Sequence, residues 1–232
     1  MPETAAAATA MPEWQLILLT ALVTTIGTAF VSYVSHLWTV RSDSKAERER
    51  HARYLAIRVV CVLDPFVSEC GDVVYDTGMP EHDGTMHPRV GTPKLAFPED
   101  VDWRAVDPDL MYRILGFPNE IAIADQAIDW VVEQIAGPPD YNEFFDERII
   151  RYGKLGLAAM QLADDLRKRY GIPAKNYGDW NPREVMTEKV AEAEKDKAER
   201  DAENAEMLKE MWERREAAKA ADAEAAKKPE AS

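Results

Sequence analysis

WQLILLTALVTTIGTAFVSYVSHLWTV, residues 14–40, contains no Asp, Glu, Lys or Arg. A helix of about 20 largely apolar residues crosses a hydrocarbon core of roughly 30 Å, and Trp and Tyr favour the headgroup zone. Trp14, Tyr33 and Trp38 lie towards the ends of this stretch, which therefore reads as a single transmembrane helix. A cleaved secretory signal would show a basic leader and a shorter apolar core. Here the only charged side chains before Trp14 are Glu3 and Glu13.

Orientation follows from the flanks, because Lys and Arg close to a span stay on the cytoplasmic side. None precedes the stretch, whereas Arg41, Lys45, Arg48, Arg50, Arg53 and Arg58 follow it. Residues 1–13 are expected outside, as a short disordered N-terminus, and residues 41–232 in the cytoplasm beneath the inner membrane. Cys61 and Cys70, the chain's two cysteines, have no metal-ligand spacing and suit a reducing compartment. Within the span, Ala21, Thr25, Thr28, Ser32 and Ser35 recur at spacings of three and four. Such a small-residue stripe suits close helix packing in lipid and hence a homo-oligomer. The other reading is that each hydroxyl bonds back to a carbonyl one turn earlier.

Beyond the span the chain is acidic. Its 232 residues carry 28 Lys and Arg against 42 Asp and Glu, a net charge of -14. A general nucleic-acid binder needs clustered cations that this balance does not supply. The expected partners are the lipid bilayer and a protein, with no nucleic acid.

The sequence predicts an all-α chain: the transmembrane helix over 14–40, a cytoplasmic helical domain over 41–180 with an irregular loop at 78–106, a charged helix over 181–228 and a disordered tail at 229–232. Ser44 and Glu47 fit a capping box, predicting that a helix starts or restarts there, while Arg41 to Asp43 neither break nor guarantee helix between it and the span. Tyr54, Leu55, Val59, Val62 and Phe66 follow helical spacing, and Asp64-Pro65 predicts a kink. Residues 78–100 hold Pro80, Pro88, Pro93 and Pro98 and read as loop. Asp107-Pro108 opens a short helix ending at Gly116. After Pro118 a second helix places Ile121, Ala124, Ile128, Val131 and Ile135 on one face, with Trp130 at the core or its edge. Phe145, Ile149, Tyr152, Ala159, Leu162, Leu166 and Tyr170 mark an amphipathic helix capped by Gly171. Arg167, Lys168 and Arg169 in its last turn complement the helix dipole. Asn181-Pro182 opens the charged helix, with 11 basic and 15 acidic residues from there to the end. Ala191, Ala198, Ala205 and Trp212 repeat every seven residues, but Glu194 and Asp201 weaken any coiled-coil seam. Met207, Leu208, Met211 and Trp212 form an apolar spot suited to partner docking; the alternative is that the spot folds back on the domain or pairs with itself as a weak coiled coil.

No motif announces an enzyme. There is no Gly-rich phosphate loop, no Gly-x-Ser-x-Gly, no Cys-x-x-Cys and no His-Glu-x-x-His. None of His36, His51, His82 and His87 stands three residues after a Glu, which removes a di-iron bundle. Asp107, Asp109, Glu143, Asp146, Glu147, Asp164 and Asp165 read as solvated carboxylates rather than a catalytic pair. His82 and His87, beside Glu81 and Asp83, are the only weak metal candidates, and no cofactor is expected. The sequence thus points first to a membrane-tethered adaptor that recruits a protein partner. The second reading is a sensor whose 78–100 loop closes on a metal or small molecule, and the third an enzyme without a recognisable motif.

Overall fold

The computed structural model describes the backbone of residues 13–138 and 140–225, while the side chains of residues 13–27, 31, 37, 39, 40, 43 and 221–225 lie outside the description. The described residues are mostly helical: α1 (Glu13–Val74), an antiparallel hairpin of two-residue strands β1 (Met79–Pro80) and β2 (Met86–His87), a 3-10 turn at Trp103–Ala105, then α2 (Pro108–Gln134), α3 (Asn142–Tyr170) and α4 (Pro182–Ala225). Two compact units divide at Ala52 and Arg53. The N-terminal segment before Glu13 and the tail expected at 229–232 lie outside the described residues.

α1 has no start at Ser44. The helix passes through that residue, and Ser44 Oγ donates back to the carbonyl of Arg41 at 3.0 Å, because an unbroken helix has no free amides for a capping box to satisfy. Arg41–Asp43 contain neither Gly nor Pro, so nothing stops the propagation. Among the described residues no helix is long and apolar enough to cross a membrane. The side chains up to Gly27, which include the most apolar part of the expected span, fall outside them.

In the second unit α1 continues through Pro65 to Val74, burying Leu55, Val59, Leu63, Phe66, Val67 and Val73. Tyr54 is exposed, with the Arg58 guanidinium 5.9 Å from its ring centroid. α2 is one helix where the sequence suggests two. Asp107 caps it by accepting from the Asp109 amide at 3.1 Å, and Pro118 lies inside it. A proline removes one backbone bond, yet Ile114, Phe117, Ile121 and Ala124 stay buried across it in a single phase. Phe117 packs edge-to-face on Phe66 at 5.8 Å, which holds the helix together through the interruption. Ile135 is exposed because it sits past the last helical turn, and Trp130 faces solvent rather than core.

α3 follows its expected stripe closely: Phe145, Tyr152, Ala159, Leu162, Leu166 and Tyr170 are buried, and Gly171 ends it at φ 62°. Arg167 departs from expectation. Its side chain is buried, and Nη2 donates to both carboxylate oxygens of Asp64 at 2.7 Å. It bolts α3 to α1 instead of idling at a helix end, since a buried guanidinium needs a paired carboxylate.

α4 opens as expected, with Asn181 Oδ1 accepting from the Glu184 amide at 3.4 Å. Its first turns belong to the folded body, however, because Met186, Val190 and Ala193 are buried. They lie over the glycines of α3: a Cβ on Gly156 would stand 2.5 Å from Met186 Sδ and 2.8 Å from Cys70 Cβ. Several carboxylates read as solvated also hold α4 in place. Glu147 is buried and accepts from Lys197 Nζ and Arg151 Nε, each at 2.7 Å. Asp146 pairs with Arg200, and Asp164 with Arg183 at 3.0 Å.

Candidate functional site

The irregular segment after α1 is tied down by one acidic side chain. Asp76 follows the last turn of α1 and is fully buried. Its Oδ1 accepts from the amides of Gly78 at 3.0 Å and Arg89 at 3.2 Å, and its Oδ2 from the amide of Val90 at 3.0 Å. The segment can return to Asp76 because of the hairpin: the Glu81 amide donates to Thr85 O at 2.8 Å, Asp83 Oδ1 accepts from the Thr85 amide at 2.9 Å, and Gly84 turns at φ 85°. Gly78 is required at its position, with φ 77° and no room for a Cβ against the Phe145 ring.

Arg148 of α3 completes the clasp. Its Nη1 donates to Asp76 Oδ2 at 2.8 Å, and Nη2 donates to the carbonyls of Val90 and, at 3.1 Å, Gly91. Burial pushes the Asp76 carboxyl up, but the three amides and the guanidinium outweigh it and hold the group below the usual carboxylate range. The loop is thereby fixed as one wall of a cleft of about 470 Å³. Pro88–Thr92 form that wall, Asp125, Ile128 and Asp129 of α2 another, and Phe144, Arg148 and Tyr152 of α3 the floor. Tyr152 Oη donates to Asp125 Oδ1, and burial, with Asp125 beside it, pushes the Tyr152 hydroxyl far above its ordinary value. The phenol is therefore a fixed donor, while Asp129 at the mouth is open to solvent. Chemically the cleft offers the carboxylates of Asp125 and Asp129 and the apolar Ile128; the satisfied Arg148 guanidinium lies 5.9 Å from the Phe144 ring centroid, and Arg89 stands on the loop wall.

The residues singled out from sequence lie elsewhere. His87 Nε2 pairs with Glu81 Oε2 at 2.9 Å on an exposed surface, and His82 is exposed. Neither lines the cleft. Among the described residues no three His, Cys, Asp or Glu are grouped to hold a metal. Met207, Leu208, Met211 and Trp212 are each 56% to 60% exposed, with Arg215 stacked 5.7 Å from the Trp212 ring centroid. On the expected membrane stripe, Thr28, Ser32 and Ser35 are exposed, and Ser35 Oγ donates to Ser32 O at 2.9 Å. The side chains of Ala21 and Thr25 lie outside the description.

Sequence reading missed the cleft, although one signal was present. Phe145, Arg148 and Tyr152 share a helical face, so an arginine stands in the apolar stripe of α3 and demands a buried acidic partner. No protein-family model matches the chain, and no curated protein or solved structure matches it.

Proposed function

We propose that this chain is a membrane-anchored adaptor: an N-terminal span in the inner membrane, and a cytoplasmic helical body whose last helix recruits a protein partner. The observation that carries the reading is the exposure of Met207, Leu208, Met211 and Trp212 beyond the point where α4 stops packing. Four large apolar side chains clustered on a charged, solvent-exposed helix fit a helix-in-groove or helix-pair mode of recognition. Asp201, Glu203, Glu206, Glu210, Glu213 and Glu216 surround the spot and outnumber Lys209, Arg214 and Arg215. The partner it fits is an amphipathic helix with an apolar stripe flanked by Lys and Arg. The charge-free stretch over 14–40 and the exposure of Phe30, Tyr33 and Trp38 on α1 support the anchor.

The test is affinity purification of the full-length protein from native membranes in mild detergent. Replacing Met207, Leu208, Met211 and Trp212 by Ala is expected to remove a stoichiometric partner while far-ultraviolet dichroism stays unchanged. Unchanged partner recovery overturns the docking assignment.

A second reading has its own support in the cleft beneath Pro88–Thr92. Its volume falls in the range of about 300 to 1,000 Å³ typical of small-molecule sites, and the carboxylates of Asp125 and Asp129 suit a small organic cation. Calorimetric titration with putrescine and with arginine distinguishes it: saturable heat lost in Asp129→Ala favours this sensor reading, and no heat removes it.

A further inference from the structure

Three of the cations that follow the charge-free stretch share one face of α1. At about 100° per residue, Phe30, Val34, Trp38, Arg41, Lys45 and Arg48 all fall within about 40° of one line along the helix. By the same spacing Asp43 and Glu47 fall on the far side, and Glu49 stands at the flank beyond Lys45. Phe30 and Trp38 are 67% and 76% exposed, and Arg41, Lys45 and Arg48 are exposed with them. Two adjoining hollows run along this face. Phe30, Val34, Ser35 and Trp38 line the first, and Val34, Trp38, Arg41, Ser42 and Lys45 the second. The face is thus apolar as far as Trp38 and cationic beyond it, and Val34 and Trp38 belong to both parts.

We propose that this face holds an anionic phospholipid of the cytoplasmic leaflet, its acyl chain along Phe30 and Val34 and its phosphate at Arg41 and Lys45, an inference that rests on the anchor reading above. Trp38 sets the depth, because an indole favours the headgroup zone. Arg41 and Lys45 follow it by about 4.5 Å and 10.5 Å along the axis, and long cationic side chains reach back towards such a level while their stems cover apolar surface. For topology alone, cations count the same wherever they stand around the helix. Gathered on one face below an apolar hollow, they match the two ends of a single lipid molecule.

Charge decides the occupant. The chain carries a net charge of -14, so an anionic leaflet repels it as a whole, and this face is where the two attract. A second copy meeting the same face would set Arg41 and Lys45 against cations of its own kind. Thr28 and Ser32, from the small-residue stripe, fall more than about 100° away around the helix. Packing of two anchors through that stripe therefore leaves Phe30, Trp38 and Arg41 turned to lipid. Free phosphate would use the cations but leave the apolar hollow empty.

The test is native mass spectrometry of the full chain in non-ionic detergent, titrated with phosphatidylglycerol and with phosphatidylcholine of the same acyl chains. Wild type is expected to prefer phosphatidylglycerol by about tenfold or more, since two cations act on one uncompensated phosphate. A four-position swap, Arg41→Ser with Ser42→Arg and Lys45→Ser with Ser44→Lys, keeps composition, net charge and depth. It moves each cation about 100° around the helix, to opposite flanks. The preference should then fall to about twofold or less with unchanged helicity. Equal binding of the two lipids, a preference that survives the swap, or competition by glycerophosphate as effective as by the whole lipid each overturns the proposal and leaves the anchor standing. Release of the full chain from native membranes by alkaline carbonate overturns the anchor itself, and this site with it.

Discussion

Asp76 and Arg148 show what a single buried charge does in this protein. Both side chains are buried, and each is hydrogen-bonded by the other and by backbone. Removing one member of a buried pair leaves an uncompensated charge, which costs about 3 to 5 kcal/mol. Asp76→Ala is therefore expected to lower unfolding stability by about that amount in urea titrations, and to free the amides of Arg89 and Val90 to hydrogen exchange. The pH dependence has a definite sign. Because the Asp76 carboxyl is held below its ordinary value in the fold, its contribution is present above the unfolded value of about 3.9 and disappears as pH falls through the folded value. The stability gap between wild type and Asp76→Asn should be constant near neutrality and close below about pH 4. A gap that stays open in acid would show that the carboxylate's charge is not what clasps the loop.

At the scale of elements, α4 is two structures in one helix. Its first turns are set into α3, and from Asp201 to Ala220 every side chain is exposed. The inset depends on Gly156, whose missing side chain is the space that Met186 occupies. Gly156→Ala should cost about 1 to 3 kcal/mol through overpacking, and Met186→Ala about 2 to 5 kcal/mol through a cavity. The double variant should be less destabilised than the sum of the two, because the shortened side chain at 186 removes the closer of the two clashes of the new methyl group and leaves the one with Cys70 Cβ. Additive losses in thermal unfolding would mean that the helices part rather than interlock. The α3 stripe was legible because Phe145 to Tyr170 keeps one helical period along the whole length of the helix. The α4 inset was not, because Met186, Val190 and Ala193 make a short stripe diluted by charges, and those charges turned out to bind α3. The helix through Pro118 was illegible for a related reason: the proline's local cost is visible in sequence, whereas the Phe66–Phe117 contact that offsets it is not.

For the whole molecule, the proposed topology makes one accessible prediction. Cys61 is exposed and Cys70 is buried, with burial pushing the Cys70 thiol far above its ordinary value. In intact cells a membrane-impermeant maleimide should label neither. After permeabilisation it should label Cys61 and leave Cys70 unreacted until the protein is denatured. Labelling of Cys61 in intact cells would reverse the orientation drawn from Arg41, Lys45 and their neighbours.

Local rules determined the helical class of this chain, the stripe and Gly171 cap of α3, the opening of α2 at Asp107 and the opening of α4 at Asn181. Each depends on residues within a turn or two of one another, where backbone geometry and side-chain period leave little freedom. The fold alone decided that Asp64 holds Arg167, that Asp76 and Arg148 clasp the loop into a cleft, and that Glu147 bridges α3 to α4. These pairs join positions 50 or more residues apart, and a carboxylate's surroundings, not its identity, settle whether it is solvated or bolted.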